Sequence, residues 1–591
     1  MPPQPPSSPL ARACELIDRA RYADAADLLR RHAQRHPGDA AAVGALCHAL
    51  LNLGQAEQAA FYAKALRRAS PMIPGVYATL GEALDKAGKP DEAIASLQDG
   101  QTLFPQDSQI AFVLAETLRA KGRHADAIQI VDRALAEGWA NDALRSVRAT
   151  SMHKLGMLKE AMAFVRESQW IAPGRIAPAE LAAVTANYDP DITAPQAFAL
   201  HKRYANTLND HVGSGMFTFP TADDPDRPLR VGILSPDLRR HSVGFFALPM
   251  LRALRGHMHV RAYFSGPPAS PTCDRFRDLC DSWTIVTGMN MAALARLIHD
   301  DRVDILIELS GLTLGQAMPL MQVRPAPVQV SYIGYPSSTG LANIDYRIVD
   351  SLTDPAGAES LATERLIRLD PCFLCFEPWE DPPPVAPPPS VAGAPLTFGS
   401  FNNSMKINDK TLALWGRVLA AAPGSRLFAK MLEGDHEGTN EFMLRRLEAH
   451  AIPRERVVWK TWEKELSSHL STYNQIDIGL DPTPYCGTTT TIEAMLMGVP
   501  VVSLVGDRHA ARVGKTLLHN VGLDDLAAPD EDAYVATAVA LANDPARLAW
   551  VRASLRDRVL KGPLGDQAAY AERLRRALRA AWTQRCRPVG P

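Results

Sequence analysis

The run Tyr485-Cys-Gly-Thr-Thr-Thr-Thr-Ile-Glu493 places one glycine, four hydroxyls and a carboxylate within nine residues. An apolar segment, Ile476–Leu480, comes before it, and a helix-like segment, Ala494–Met497, comes after. Strand, glycine, hydroxyl run and helix in that order put unpaired backbone N–H groups and hydroxyls at a helix N-terminus. Such a terminus attracts anions, because its first amides lack partners and the helix dipole is positive there. Glu493 falls in the first turn, where a carboxylate can accept from sugar hydroxyls. The segment therefore reads as a nucleotide diphosphate pocket with a ribose clamp. The competing reading is a Thr-rich helix cap with a structural glutamate.

Two further residues have types and places suited to group transfer. Lys406 stands just beyond a strand in Phe-Asn-Asn-Ser-Met-Lys and supplies a positive charge for a leaving diphosphate. The alternative for it is a plain surface lysine. His241 follows the strand Leu229–Leu234 by a short loop, which sets it at the strand's carboxyl end. An imidazole there can act as a base or orient an acceptor hydroxyl. A loop histidine without a role is the alternative.

These residues need elements to position them. From Leu229 on, strands alternate with helices: Val260–Phe264, Trp283–Val286, Val303–Leu309 and Val328–Ile333 follow the first. A second block opens at Leu396–Phe401 and continues with Ser425–Lys430, Arg456–Lys460, Ile476–Leu480 and Val501–Leu504. Such alternation implies parallel sheets in α/β lobes. Between the blocks lies Asp381-Pro-Pro-Pro-Val-Ala-Pro-Pro-Pro-Ser390, whose prolines favour an extended linker. Two doubly wound lobes place a ligand cleft between the carboxyl ends of their sheets, the GT-B arrangement. Arg552–Leu560 and Gln567–Trp582 read as closing helices.

The first third is a helical repeat. Gly54, Gly88, Gly122 and Gly156 stand 34 residues apart, each followed five residues on by Ala59, Ala93, Ala127 or Ala161. An earlier copy, Ala20–Ala25, keeps the phase without the glycine, and Pro37, Pro74, Pro105 and Pro173 punctuate the ends of second helices. A 34-residue period resembles the tetratricopeptide repeat, whose stacked helix pairs offer a groove for polypeptide. The expected organisation is a repeat array over 10–172, a helical connector over 173–228, an N-terminal lobe over 229–381, a linker over 382–395 and a C-terminal lobe over 396–585.

Bulk properties narrow the class. The 591 residues exceed one ordinary core. A net charge of −2 argues against a general nucleic-acid binder. The eight cysteines show no paired zinc spacing, and Cys372-Phe-Leu-Cys375 reads as buried thiols in a strand. No apolar run approaches the ~20 residues of a membrane span, and no signal peptide opens the chain. A soluble cytoplasmic protein is expected. Asp189-Pro-Asp191, a superficial D-x-D match, lies before the first catalytic strand and reads as a turn.

From about Leu229 to Trp582 the chain resembles the O-GlcNAc transferase/SPINDLY group of protein O-glycosyltransferases, and the SPINDLY branch with its bacterial relatives above all. The segments that carry the resemblance are Ser235–Val243, Arg324–Pro336, Ile344–Asp350, Thr397–Ile407 and Gly487–Glu493; residues 507–514 add to it. The resemblance implies inverting, metal-independent transfer of a sugar from a nucleotide donor to a protein Ser or Thr, with no cofactor. It puts the diphosphate-binding lysine on Lys406, the helix-terminus hydroxyls on Thr489 and Thr490, and the ribose carboxylate on Glu493. Asn403 and Thr488 join the donor-binding set. His469 matches a histidine near the nucleotide, against the alternative of an exposed helix histidine. His241 matches a functionally important histidine, and Asp345 an acidic residue of the acceptor-side cleft; Asp350 is the alternative carboxylate.

Two positions depart from the O-GlcNAc transferases and agree with the SPINDLY branch. Thr488 stands where they carry histidine, and Leu466 where they carry lysine. The donor therefore stays open among UDP-, GDP- and CMP-linked sugars. The expected partner is a protein acceptor held by the array. Flagellin is one candidate, on an Ala- and Arg-rich composition that suggests a bacterial source. The alternatives are a non-catalytic repeat adaptor with a degenerate transferase domain and a transferase acting on a non-protein glycan.

Overall fold

The computed structural model describes residues 8–586, apart from 20, 172–174, 220–223, 268–270, 314–316, 432–435, 462 and 464. Ala20 and Pro173, named above, lie outside the described residues. The chain divides into two compact units, one of residues 1–155 with 433–444, the other of 156–432 with 445–591.

The first unit is built from helix pairs. Successive helices run Tyr22–Arg35, Ala40–Asn52, Ala56–Ala69, Pro74–Lys86, Pro90–Leu103, Ser108–Ala120, His124–Ala136 and Asp142–Lys154. Gly54, Gly88, Gly122 and Gly156 each fall in the short turn after the first helix of a pair, with φ between 71° and 75°. That left-handed conformation costs an L side chain and suits glycine. Ala59, Ala93 and Ala127 are fully buried, so the helices can approach closely. Pro74 differs from the expectation: it opens a helix as its first residue, where the missing N–H costs nothing.

In the second unit two helices, Ile176–Ala186 and Ala194–Val212, lead into the first lobe. Thr193 and Gln196 form a reciprocal capping box at the start of the longer one. Asp189 accepts from the Asp191 amide, a local turn as expected, and Asp191 pairs with Lys159.

The first lobe holds seven parallel strands: β1 (Arg230–Ser235), β2 (His259–Phe264), β3 (Ser282–Ile285), β4 (Ile305–Glu308), β5 (Val328–Ser331), β6 (Tyr346–Val349) and β7 (Arg365–Arg368). Their order is β3-β2-β1-β4-β5-β6-β7. Ile233 of β1 sits opposite Ala262 and Ile307, and Val231 opposite Val260 and Ile305, all buried under flanking helices. The second lobe holds β8 (Thr397–Ser400), β9 (Arg426–Ala429), β10 (Val457–Trp459), β11 (Ile478–Leu480), β12 (Val501–Leu504) and β13 (Ala527–Ala528), in the order β10-β9-β8-β11-β12-β13. Each sheet winds outward in both directions from an inner pair, β1/β4 or β8/β11. Loops leave the carboxyl ends of such a pair to opposite faces and open a crevice.

The proline-rich segment contains no helix or strand, but it is tied to the second lobe. Ala386 N–H donates to Asn474 Oδ1, the Ser390 amide and hydroxyl both donate to Asp477, and Arg552 donates to Ala386 O. The helix Gln567–Cys586 returns to the first lobe, where Tyr570 meets Tyr332 and Arg579 donates to the carbonyls of Pro225 and Arg227. Cys372 and Cys375 are buried, but in an extended segment after β7 rather than in a strand.

Candidate functional site

A cavity of about 530 Å³ opens where the two inner strand pairs face each other. The loop after β1 contributes Asp237 and His241, and the turns after β4 and β5 contribute Thr313, Ile333 and Gly334. The second lobe contributes Asn402, Asn403 and Lys406 after β8, and Tyr485 and Thr488–Thr490 after β11. Every wall segment thus comes from the carboxyl end of a strand.

Lys406 ends a short 3-10 turn, Ser404–Lys406, in which the Met405 amide donates to the Asn403 side chain. Its Nζ donates to Cys486 O at 2.7 Å and lies 4.1 Å from the centre of the Tyr485 ring. Burial lowers its pKa to about 8, against the opposing pull of Asp481. An anion entering the cavity would raise that pKa again.

Thr488 caps the helix Thr489–Leu496 without a side-chain bond to it. Thr488–Thr490, at the start of that helix, line the cavity with Lys406. The turn before the helix is fixed by Asp481, which accepts from the Gly487 amide at 2.7 Å and from the Ser503 hydroxyl at 2.8 Å. Burial raises the Asp481 pKa to about 6. A Cβ on Gly487 would stand 2.3 Å from Thr491 Oγ1 and 2.7 Å from Thr490 Oγ1, so only glycine fits. Thr490 Oγ1 in turn donates to Asn402 Oδ1 at 3.0 Å, joining the two loops of the lobe.

Glu493 lies one turn deeper and is buried. His469, on the helix Leu466–Thr472, reaches its Oε2 through Nε2 at 3.1 Å. Lys430 Nζ sits 2.8 Å from His469 Nδ1 and 2.9 Å from Glu463. With Lys430 donating to Nδ1, the Nε2 edge of the ring is turned to Glu493. The carboxylate is thereby fixed beside the Thr run.

On the facing wall, His241 Nδ1 accepts from the Val243 amide at 3.2 Å and lies 3.4 Å from Asp237 Oδ1. Burial lowers the His241 pKa and raises that of Asp237, while each opposes the shift of the other. Each shift favours the neutral form of its group.

Asp345 is not on this wall. It precedes β6, at the amino end of the sheet, where Arg324 and the Gln329 amide hold its carboxylate at 2.8–2.9 Å. Residues before a parallel strand face away from the crevice. Asp350, at the carboxyl end of β6, is sealed by the Thr353 and Phe373 amides and the Thr516 hydroxyl. The cavity carboxylate is Asp237. Its spacing of four residues from His241, in the first loop of the first sheet, was the signal for it. Among the described residues no group of three or more His, Cys, Asp or Glu could hold a metal ion.

The glycosyl transferase family 41 model matches residues 212–377 and 391–574, more than half of the chain and both walls of the cavity. The chain belongs to glycosyl transferase family 41. A tetratricopeptide repeat model matches residues 79–142. Among curated relatives, the probable UDP-N-acetylglucosamine–peptide N-acetylglucosaminyltransferase SPINDLY of Arabidopsis thaliana is 39% identical over 62% of this chain and 41% of its own length. The probable enzyme SEC of the same plant is 26% identical over 66% of this chain and 42% of its own. The chain thus spans about two fifths of these relatives. A solved mutant of the Thermobaculum terrenum O-GlcNAc transferase aligns with a TM-score of 0.79 and 28% identity, over 87% of this chain and 98% of that one.

Proposed function

We propose that this family 41 protein transfers a sugar from a nucleotide-sugar donor to a Ser or Thr hydroxyl of a polypeptide, with inversion at the sugar carbon. The observation that carries this reading is the meeting of Lys406 and the uncapped Thr489–Leu496 helix with His241 and Asp237 across one cavity. The acceptor oxygen attacks the anomeric carbon from the His241 side as the bond to the diphosphate breaks on the Lys406 side. The acceptor proton passes to His241 Nδ1 as that nitrogen gives up the Val243 amide, and Asp237 beside it offsets the charge. The leaving diphosphate gathers negative charge beside the ammonium and the helix start. Glu493, held by His469, suits the ribose hydroxyls. The names of the SPINDLY and SEC relatives and of the Thermobaculum neighbour favour a peptide acceptor and an N-acetylglucosamine donor. Thr488 and Leu466 keep GDP- and CMP-sugars as competing donors.

The repeats would recruit the acceptor, with flagellin one candidate, and the reaction would run in the cytoplasm; no helix among the described residues is long and apolar enough to cross a membrane. The test is incubation of the purified chain with UDP-, GDP- and CMP-sugars, scoring donor hydrolysis. One donor class should be hydrolysed, and Lys406→Ala should abolish most of that activity. Hydrolysis of none would favour a non-catalytic adaptor.

A further inference from the structure

The turn glycines of the repeats are not equivalent. A Cβ on Gly54 or Gly88 would meet nothing within 4 Å, so these two serve the backbone conformation alone. Gly156 has the same φ as Gly88, 73°, but it is buried. A Cβ there would stand 2.3 Å from Ile407 O and 2.9 Å from Ser404 O. Both carbonyls belong to the turn that carries Lys406. Gly156 opens the second compact unit, so this contact lies inside the unit that holds the cavity. Gly156 itself does not line the cavity.

The lysine turn is fixed on its other sides. Ile407 is fully buried. The Ser404 amide donates to Met431 O, the Lys406 amide to Asn403 O and the Ile407 amide to Ser404 O. Asn408 Nδ2 donates to Tyr188 O at 3.1 Å and to Thr483 O at 2.6 Å. A side chain at position 156 would therefore force a shift of roughly 1 Å to restore ordinary contact. Tyr188 also bears on the lysine from the side of its charge. Its ring packs 4.7 Å from the Tyr485 ring, whose centre lies 4.1 Å from Lys406 Nζ. Gly156 and Tyr188 thus brace the backbone and the ammonium of one residue.

We propose that Gly156 is a positioning residue for Lys406. The bare glycine of the last repeat turn lets the Ser404–Ile407 segment seat at the depth from which Nζ reaches Cys486 O and the donor cavity. Gly156 touches no substrate and acts through the lysine. The inference rests on the reading of Lys406 as the residue that meets the donor's phosphate. A misplacement of about 1 Å at such a group can cost up to about a hundredfold, even when its source lies away from the chemistry.

The test is calorimetric titration of the full chain with UDP, GDP and CMP, continued with whichever binds. Asparagine tolerates left-handed backbone, so Gly88→Asn and Gly156→Asn carry the same conformational cost and differ in the contact alone. Gly156→Asn should weaken nucleotide binding by roughly tenfold, and Gly88→Asn should leave it unchanged. In a Lys406→Ala background Gly156→Asn should cost nothing further, because the group through which it acts is gone. A glycine that served stability alone would lower the melting temperature and leave affinity as it was. Where Gly156→Asn does not fold, hydrogen exchange of the wild type decides: bound nucleotide should slow exchange around Gly156 together with residues 404–407, and leave the segment around Gly88 unchanged. Full affinity in Gly156→Asn, losses that add in the double variant, or unchanged exchange around Gly156 would each overturn the proposal. Full affinity in Lys406→Ala, or no binding of any of the three nucleotides, would instead bring down the reading of Lys406 on which the proposal rests, and the proposal with it.

Discussion

Lys406 is a cation that its own pocket has weakened. With a pKa of about 8 in the free protein, it must be protonated to pair with a diphosphate. Donor binding therefore takes up a proton above that pH. Affinity should be level below pH 8 and fall as pH rises through it, by up to about tenfold per unit. Isothermal titration of the reactive donor at pH 7 and pH 9 checks the sign; an affinity that rises with pH would remove Lys406 from the diphosphate. Lys406→Ala deletes a charge-assisted contact worth ~1.5–3 kcal/mol, roughly ten- to a hundredfold in affinity or rate. His241→Ala should instead lower turnover by about 10²–10⁴-fold with nucleotide binding nearly unchanged. Asp237→Asn should be milder and shift the acid limb of the rate profile to lower pH, because that carboxylate raises the His241 pKa. An unmoved limb would make Asp237 a bystander. Lys406, His241 and the Thr run were legible in the sequence because each sits directly after an apolar strand. Asp345 was misplaced for the same reason in reverse: it precedes one. Which end of a strand a residue occupies decides whether it meets the cleft, and β6, with a buried arginine at its second position, is hard to recognise as a strand.

Strand ends organise the second scale. The first strand of each lobe and the strand beside it across the switch point carry the principal cleft residues, so two sheets with the same winding generate both walls. The strands read from sequence were apolar and β-branched, and they lie within a residue or two of their places. Tyr346–Val349, Arg365–Arg368 and the two-residue Ala527–Ala528 escaped notice because they are short or carry arginines that a neighbouring carboxylate or ring accommodates. The proline-rich segment was legible as extended, but its anchoring to Asn474, Asp477 and Arg552 depends on residues at least 87 positions away in sequence, which local pattern does not encode. The Gly487 turn shows how little slack the donor element has. Gly487→Ala must displace the Thr490 and Thr491 hydroxyls and crowd the Asp481 carboxylate. Donor affinity should drop at least tenfold while thermal stability falls by only ~1–3 kcal/mol. Full donor affinity in that variant would mean that the helix start does not touch the donor.

At the scale of the whole molecule, the repeat phase was the plainest feature of the sequence, because a turn glycine and a buried alanine must recur wherever helix pairs stack. The division of labour between the units follows from where the chemistry is: every cavity residue lies between 237 and 490, outside residues 1–155. A chain lacking the array but still folded should bind donor normally and lose modification of its protein acceptor. Loss of donor binding would deny the array a recruitment role. Transfer should also persist in EDTA if, as proposed, Lys406 offsets the leaving group's charge. The most direct measurement is intact-mass spectrometry of an acceptor polypeptide incubated with the chain and each nucleotide-sugar class, in EDTA, beside Lys406→Ala and His241→Ala. The account predicts one added sugar mass per modified Ser or Thr from a single donor class with the wild-type chain, and little or none with either variant. No mass gain with any donor, or an equal gain with both variants, would contradict it.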